Sequence, residues 1–266
     1  MNVESVLDVI RSEESSCGGG ISAAVRNVAG ACEISYRDEV VVSSASVIKI
    51  PILVEAVRCL RDGVLSSDAE FVLEDDHRVR GSGVMRCIHA GAAFTLEDLL
   101  NLMVIVSDNT ATNILIDVLG TDAVNSTMRS MGYTRTALRR KMYDWAMIER
   151  GLDNVCAAAE IADLLARIAR GEALGGEWDR RMVDILRRQQ DTDKLGLLLP
   201  EEVKLANKTG SREGVMHDCG IVWFGDVCYS IAVFTECARS REEAILAIAR
   251  ISRAVYESIR HRVPGG

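Results

Sequence analysis

Residues 106–120, VSDNTATNILIDVLG, set three consecutive polar residues between two apolar runs. Ahead of them, Thr95 to Val106 has helical spacing and opens on a Thr95–Asp98 capping pair. Behind them, Asn109 to Leu119 is helical and closes at Gly120. A tripeptide in that position reads by default as an inter-helix turn that carries an N-cap. It is also where Ser107 and Asn109 can be turned together toward a site built elsewhere, offering a hydroxyl for proton transfer and an amide to hold a substrate.

Two other stretches could complete such a site. Upstream, Ser46-Val47-Ile48-Lys49 stands where a strand pattern gives way to a helix running to about Leu60. Residues three apart share a helical face, so the Lys49 ammonium can reach the Ser46 hydroxyl. A buried lysine can lose its proton and activate the serine, and a helix N-terminus offers N–H groups to a developing oxyanion. Alone, S-x-x-K occurs by chance in most proteins. Downstream, Lys208-Thr209-Gly210-Ser211 ends the strand pattern VKLANKTGS. It reads as a strand with a glycine bulge, or as a cation and two hydroxyls beside a strand edge that could take an acyl substrate as an added strand.

The wider pattern puts strands at both ends and helices in the middle. An amphipathic helix begins near Val3. ISAAVRNVAG and ACEISYRDEVVVSS follow as strands. At the far end, CGIVWFGD and VCYSIAVFTE form a hairpin about Gly225-Asp226, and a helix from about Ser240 to Arg260 opens on a Ser240–Glu243 capping box. The expected fold is α+β, a three-layer α/β/α sandwich with one antiparallel sheet and an inserted all-helical subdomain. The α/β part would come from about 1–45 and 196–266, and the helical part from about 46–195, in a single domain of 266 residues.

Composition narrows the function classes. The net charge of −8 lacks the footprint of a nucleic-acid binder and gives no attraction to an anionic membrane. No run reaches the roughly 18 apolar residues of a spanning helix, and the first residues do not form a secretory signal, so a cytoplasmic chain is expected. The 8 cysteines form no CxxC pair and are read as reduced thiols. A monomer or weak dimer is expected.

The order S-x-x-K, S-D-N, K-T-G is similar to that of class A β-lactamases and their penicillin-recognising serine-hydrolase relatives, over nearly the whole chain. VSDNTATNILIDVLG and S-x-x-K-I-P-I carry the resemblance most clearly. It implies Ser46 as nucleophile, Lys49 as its activating partner and Ser107 as proton relay. Asn109 would position the substrate, while Lys208, Thr209, Gly210 and Ser211 would line its carboxylate side. The backbone N–H groups of Ser46 and Ser211 would form the oxyanion hole. It implies no metal or organic cofactor and a small-molecule acyl substrate, a β-lactam or a related amide or ester. The alternative is an esterase or peptidase with a different acyl substrate, or a penicillin-binding sensor that acylates without efficient deacylation.

Two departures bear on that function. The family's E-x-x-L-N loop, whose glutamate activates the deacylating water, is absent from TALRRKMYDWAMIERGLDN. If Arg140 anchors the loop, Met142 stands at the glutamate's place, and a thioether accepts no proton. Asp144, Glu149 and Tyr143 are nearby substitutes, and Tyr143, Ala146, Met147 and Arg150 also fit a helical turn. After KTGS, the aligned stretch HDCGIVWF puts Cys219 where the family often has a carboxylate-binding arginine, with Arg212 or His217 as compensation. Trp145, Trp178 and Trp223 are read as packing residues, and Gly83 and Val84 as residues of a plain loop, with pocket lining as the alternative. His77, His89 and His261 suggest no Ser-His-Asp triad.

Overall fold

The computed structural model describes residues 3–29, 31 and 33–260; Cys32 and His261 lie outside them. Five strands form one antiparallel sheet: β1 (Gly20–Ala29), β2 (Ile34–Tyr36), β7 (Lys204–Arg212), β8 (Val215–Phe224) and β9 (Val227–Glu236). Their spatial order is β2-β1-β9-β8-β7, so both ends of the chain meet at the β1–β9 pair and β7 is left as an edge. Strand alternation splits the side chains between two cores. Ala23, Val25, Ile231 and Val233 face α1 (Val3–Cys17) and α9 (Arg241–Arg260), whose Val6, Ile10, Ile248, Ile251 and Val255 are buried against them. Ala24, Cys219, Ile221, Ala232 and Phe234 face the helical layer. Ser240 caps α9 by accepting from Glu243 N at 3.1 Å.

That helical layer contains α2 (Lys49–Arg61), α3 (Leu96–Ile105), α4 (Asn109–Leu119), α5 (Thr121–Ser130), the short α6 (Trp145–Glu149), α7 (Ala158–Arg170) and α8 (Gly176–Leu186). Its core joins Leu53 and Val57 of α2, Leu99 and Met103 of α3, Leu115 of α4, and Ile161 and Leu165 of α7. The middle of the chain differs from the all-helical expectation in two ways. It carries a ribbon of β4 (Glu70–Val72) and β5 (Ala93–Thr95), and β3 (Val42–Ser43) pairs with β6 (Val155–Cys156) inside it. Strands of two or three residues show no readable alternation, so their partners had no signature. Cys156 lies on β6, two residues ahead of α7. The α7 helix also packs on β1, β9 and β8, forming the second layer against the sheet.

Thr95 and Asp98 cap α3 reciprocally, and α6 is the helical turn that the Tyr143–Arg150 spacing suggested. The seven described cysteines are free, and five of them are buried. Among the described residues no helix is long and apolar enough to cross a membrane.

Candidate active site

The site lies where edge strand β7 meets the helical layer. Chain entry into α2 is not the simple strand-to-helix step that spacing implies. Ser46 sits in a 3-10 turn, Ala45–Ile48, and Lys49 opens α2 behind it. Ala45 holds a left-handed φ of 43°, which folds the chain sharply just before Ser46. Gly210 of β7 presses on that turn: a Cβ at 210 would stand 3.1 Å from Ser44 O and 3.2 Å from Ser46 N. Glycine there lets the strand edge come within reach of the Ser46 backbone.

Lys49 is fully buried, yet its ammonium is not hydrogen-bonded to Ser46. It donates to Ser107 O at 2.8 Å, Ser107 Oγ at 3.0 Å and Asn109 Oδ1 at 2.9 Å. Among the described residues the Ser46 hydroxyl has no hydrogen-bond partner, which leaves its oxygen open to the cavity it lines. Burial, and then the neighbouring charge of Lys208, hold the Lys49 ammonium well below the usual lysine range. Lys208 is equally buried and donates to the same Ser107 Oγ at 3.1 Å and to Thr209 O at 2.8 Å. Burial brings it down to about 8.

Each residue of the S-D-N tripeptide does a different thing. Ser107 holds a left-handed φ of 55° at the α3–α4 junction, which turns its hydroxyl and carbonyl toward the two lysines. Asp108 caps α4 through Ala111 N at 3.0 Å and binds the N–H groups of Val84 at 2.6 Å and Met85 at 2.8 Å. Asn109 presents Oδ1 to Lys49 and donates Nδ2 to Arg80 O at 3.1 Å. Asp108 therefore ties the glycine-rich 81–83 loop to the site wall.

A cavity of about 980 Å³ opens over these groups and is lined by Ser46, Ser107, Thr209 and Ser211. Ser82 lines it as well, whereas its neighbours Gly83 and Val84 do not and belong to the adjoining loop. It extends along β7 past Arg212 to Arg239 and Arg241 at the start of α9. Asp191, on the segment before β7, also faces it and accepts the Thr209 hydroxyl proton at 2.9 Å. Behind Asp191 the fully buried Lys194 donates to both carboxylate oxygens of Asp191 at 3.1 Å. Neither Asp191 nor Lys194 stood out in the sequence, because QQDTDK carries no periodicity and no motif.

The loop between Leu138 and Asn154 is anchored as the arginine suggested. Arg140 binds Asp153 at 2.6 Å, and Asp153 also takes the Ser43 hydroxyl at 2.6 Å and lies 3.3 Å from Arg212. Met142 is buried, with its backbone bonded on both sides by Asn113 at 2.7 and 3.1 Å. Asp144 caps α6 by accepting from Met147 N at 3.1 Å, and Glu149 is exposed at the other end of that helix. Neither carboxylate lines the cavity. Cys219 is packed in the helical-side core and bonds Lys208 O at 3.3 Å. His217 is buried beneath the turn, its Nε2 at 2.7 Å from Ser43 O, which makes it a packing residue rather than a carboxylate ligand. Trp178 and Trp223 pack against the core, whereas Trp145 is 59% exposed and does not.

The beta-lactamase enzyme family matches residues 4–259 of this sequence. The chain belongs to the beta-lactamase enzyme family. Its fold is β-lactamase-like. A beta-lactamase of Streptomyces albus G is 31% identical over 139 residues, 50% of this chain and 44% of that protein. The chain thus aligns with less than half the length of that relative. A beta-lactamase of Streptomyces lavendulae is 27% identical over 225 residues, 82% of this chain and 74% of that one. The crystal structure of the beta-lactamase of Sphaerobacter thermophilus superposes with a TM-score of 0.91 at 29% identity, covering 99% of this chain and 100% of that one.

Proposed function

We propose that this protein opens β-lactams and related strained amides or esters through an acyl-enzyme on Ser46, and that it forms this adduct faster than it hydrolyses it. The observation that carries the reading is the convergence of two buried lysines on the Ser107 hydroxyl beside the Ser46 turn. Lys49 as the free amine has a lone pair to take the Ser46 proton, and its lowered proton affinity favours that form. The Ser46 oxygen attacks the acyl carbon while the N–H groups of Ser46 and Ser211 receive the oxyanion; one such donor is typically worth about 3 kcal/mol. The proton then passes through the Ser107 hydroxyl to the leaving nitrogen as the C–N bond breaks. Lys208 holds Ser107 in place and supplies positive charge for a substrate carboxylate. Asn109 would hold the acyl side of the substrate.

Hydrolysis of the adduct needs a base for the incoming water. The position that would hold it is Met142, and Asp144 and Glu149 lie outside the cavity. Support for slow release therefore comes from what occupies the loop. Intact-mass measurement of the protein mixed with benzylpenicillin tests the reading, with Ser46→Ala as control. A long-lived adduct of the mass of intact penicillin, absent from the variant, is expected. An unmodified protein with no product would sink it.

A further inference from the structure

Asp191 sets a carboxylate into the cavity wall beside Thr209, and its backbone is pinned on both sides. Asp191 N donates to Gln189 Oε1 at 3.0 Å, and Asp191 O accepts from Asn207 Nδ2 of β7 at 3.2 Å. Gln189 is itself buried and tied to Val104 O of α3 at 2.9 Å. The Asp191 side chain is 43% exposed, while the Lys194 ammonium that grips it from behind is fully buried. Lys194 also pairs with Asp193, so one cation serves two carboxylates. Burial opposes the charge on Asp191, yet a hydrogen bond with Asp193 and the Lys194 ammonium bring its carboxyl down to about 2. A fixed anion therefore stands in the wall at neutral pH.

The donors that would meet a lone substrate carboxylate at this place are turned elsewhere. The Thr209 hydroxyl donates to Asp191 at 2.9 Å, and the Ser211 hydroxyl to Met216 Sδ at 3.1 Å. Arg212 lies 3.3 Å from Asp153, and His217 faces Ser43 O. Lys208 remains, donating to Thr209 O at 2.8 Å. Thr209 is thus held by a cation at its carbonyl and by an anion at its hydroxyl. A simple anion placed there gains from Lys208 and loses to Asp191. A group with both signs of charge meets a matching partner on each side.

We propose that Asp191 is the subsite for a cationic group on the leaving half of the substrate, beside the carboxylate that Lys208 holds, and so selects zwitterionic over purely anionic substrates. This rests on the reading of Ser46 as the acyl acceptor. Two cephalosporins with the same thienylacetyl group separate the subsite from that reading. One carries a pyridiniummethyl group next to its carboxylate, and the other an acetoxymethyl group. The second-order rate of Ser46 adduct formation is measured for each by intact mass, in the wild type, Asp191→Asn, Asp191→Ser and Glu213→Gln. Intrinsic reactivity is common to all four proteins, so the change in the ratio of the two rates reports the protein's part. The preference for the pyridinium compound should fall about tenfold in Asp191→Asn and Asp191→Ser. It should hold in Glu213→Gln, which removes another acid that lines the cavity. The two neutral replacements differ in size, and a melting curve of each identifies a folded one. A ratio unchanged in the folded Asp191 variants overturns the subsite while Ser46 acylation stands. A fall in Glu213→Gln alone assigns the preference to Glu213 and overturns it too. No adduct with either compound removes the reading of Ser46, and the subsite with it.

Discussion

At Ser107 two ammonium groups compete for one hydroxyl, Lys49 at 3.0 Å and Lys208 at 3.1 Å, and both are out of contact with water. Two buried like charges cannot both persist at low cost, so one lysine gives up its proton more readily than a solvated one. Lys49 is the one driven further down, which suits it to take a proton, while Lys208 comes to about 8 and stays the cation below that pH. If Lys208 must be charged to hold a substrate carboxylate, the acylation rate falls as pH rises through about 8. Lys208→Arg should move that limb beyond the accessible range, since guanidinium does not titrate there. A pH profile of adduct formation in both proteins checks this, and a limb unmoved in the arginine variant would assign it to another group. Met142 offers a second test. Met142→Glu places a carboxylate where the loop has a thioether, and should shorten the adduct lifetime by about tenfold or more, within the range of a general base. Time-resolved mass spectra measure it. Burying a carboxylate should also lower the melting temperature by several degrees.

Elements, not single residues, bring the three motifs together. The turn Ala45–Ile48, the α3–α4 junction and the edge strand β7 meet at one point, and Gly210 sets how closely. Gly210→Ala would put a methyl 3.1 Å from both Ser44 O and Val47 Cγ2, tighter than an ordinary van der Waals contact. The strand should shift outward by a few tenths of an ångström and pull the oxyanion donors off their target. A fall of about tenfold to a hundredfold in acylation rate with a near-wild-type melting temperature is expected. Equal acylation rates in the variant and the wild type would show that this approach is not limiting. Much of the arrangement was readable beforehand because it rests on long periodic segments: α3, α4, α9 and the β8–β9 hairpin each carry a strong period or a cap. The contact of Lys49 with Ser107 and Asn109 was not readable, since helical spacing reports only neighbours on the same helix and those two residues arrive from the α3–α4 junction. The 3-10 geometry at Ser46 was equally hidden, for a four-residue turn has no period of its own.

Across the whole molecule, the sheet is tied to the segment that carries Asp191 and Lys194 through one buried carboxylate. Asp218 of β8 accepts from Asn207 Nδ2 at 3.0 and 3.2 Å and from Leu195 N at 3.0 Å, and it stands opposite Thr209 in the β7–β8 register. Burial pushes its carboxyl from the ordinary value of 3.8 up to about 7. For an acid raised in this way, the folded state keeps its proton while the unfolded state has released it. Folding stability therefore falls as pH rises from about 3.8 to about 7, and the full penalty remains above that window. The upper bound on that penalty is about 4 kcal/mol. Asp218→Asn removes the titration and keeps the acceptor for Leu195 N. Asn207 Oδ1, which is buried without a partner, gains a donor if its amide turns over. The variant should melt higher than the wild type at pH 8, by several degrees, and the gain should shrink toward pH 5, where the native carboxyl is already neutral. Calorimetric scans at both pH values decide it. A gain equal at both would mean that Asp218 is held as a neutral or fully compensated group throughout, and that the link between sheet and Asp191 segment does not titrate.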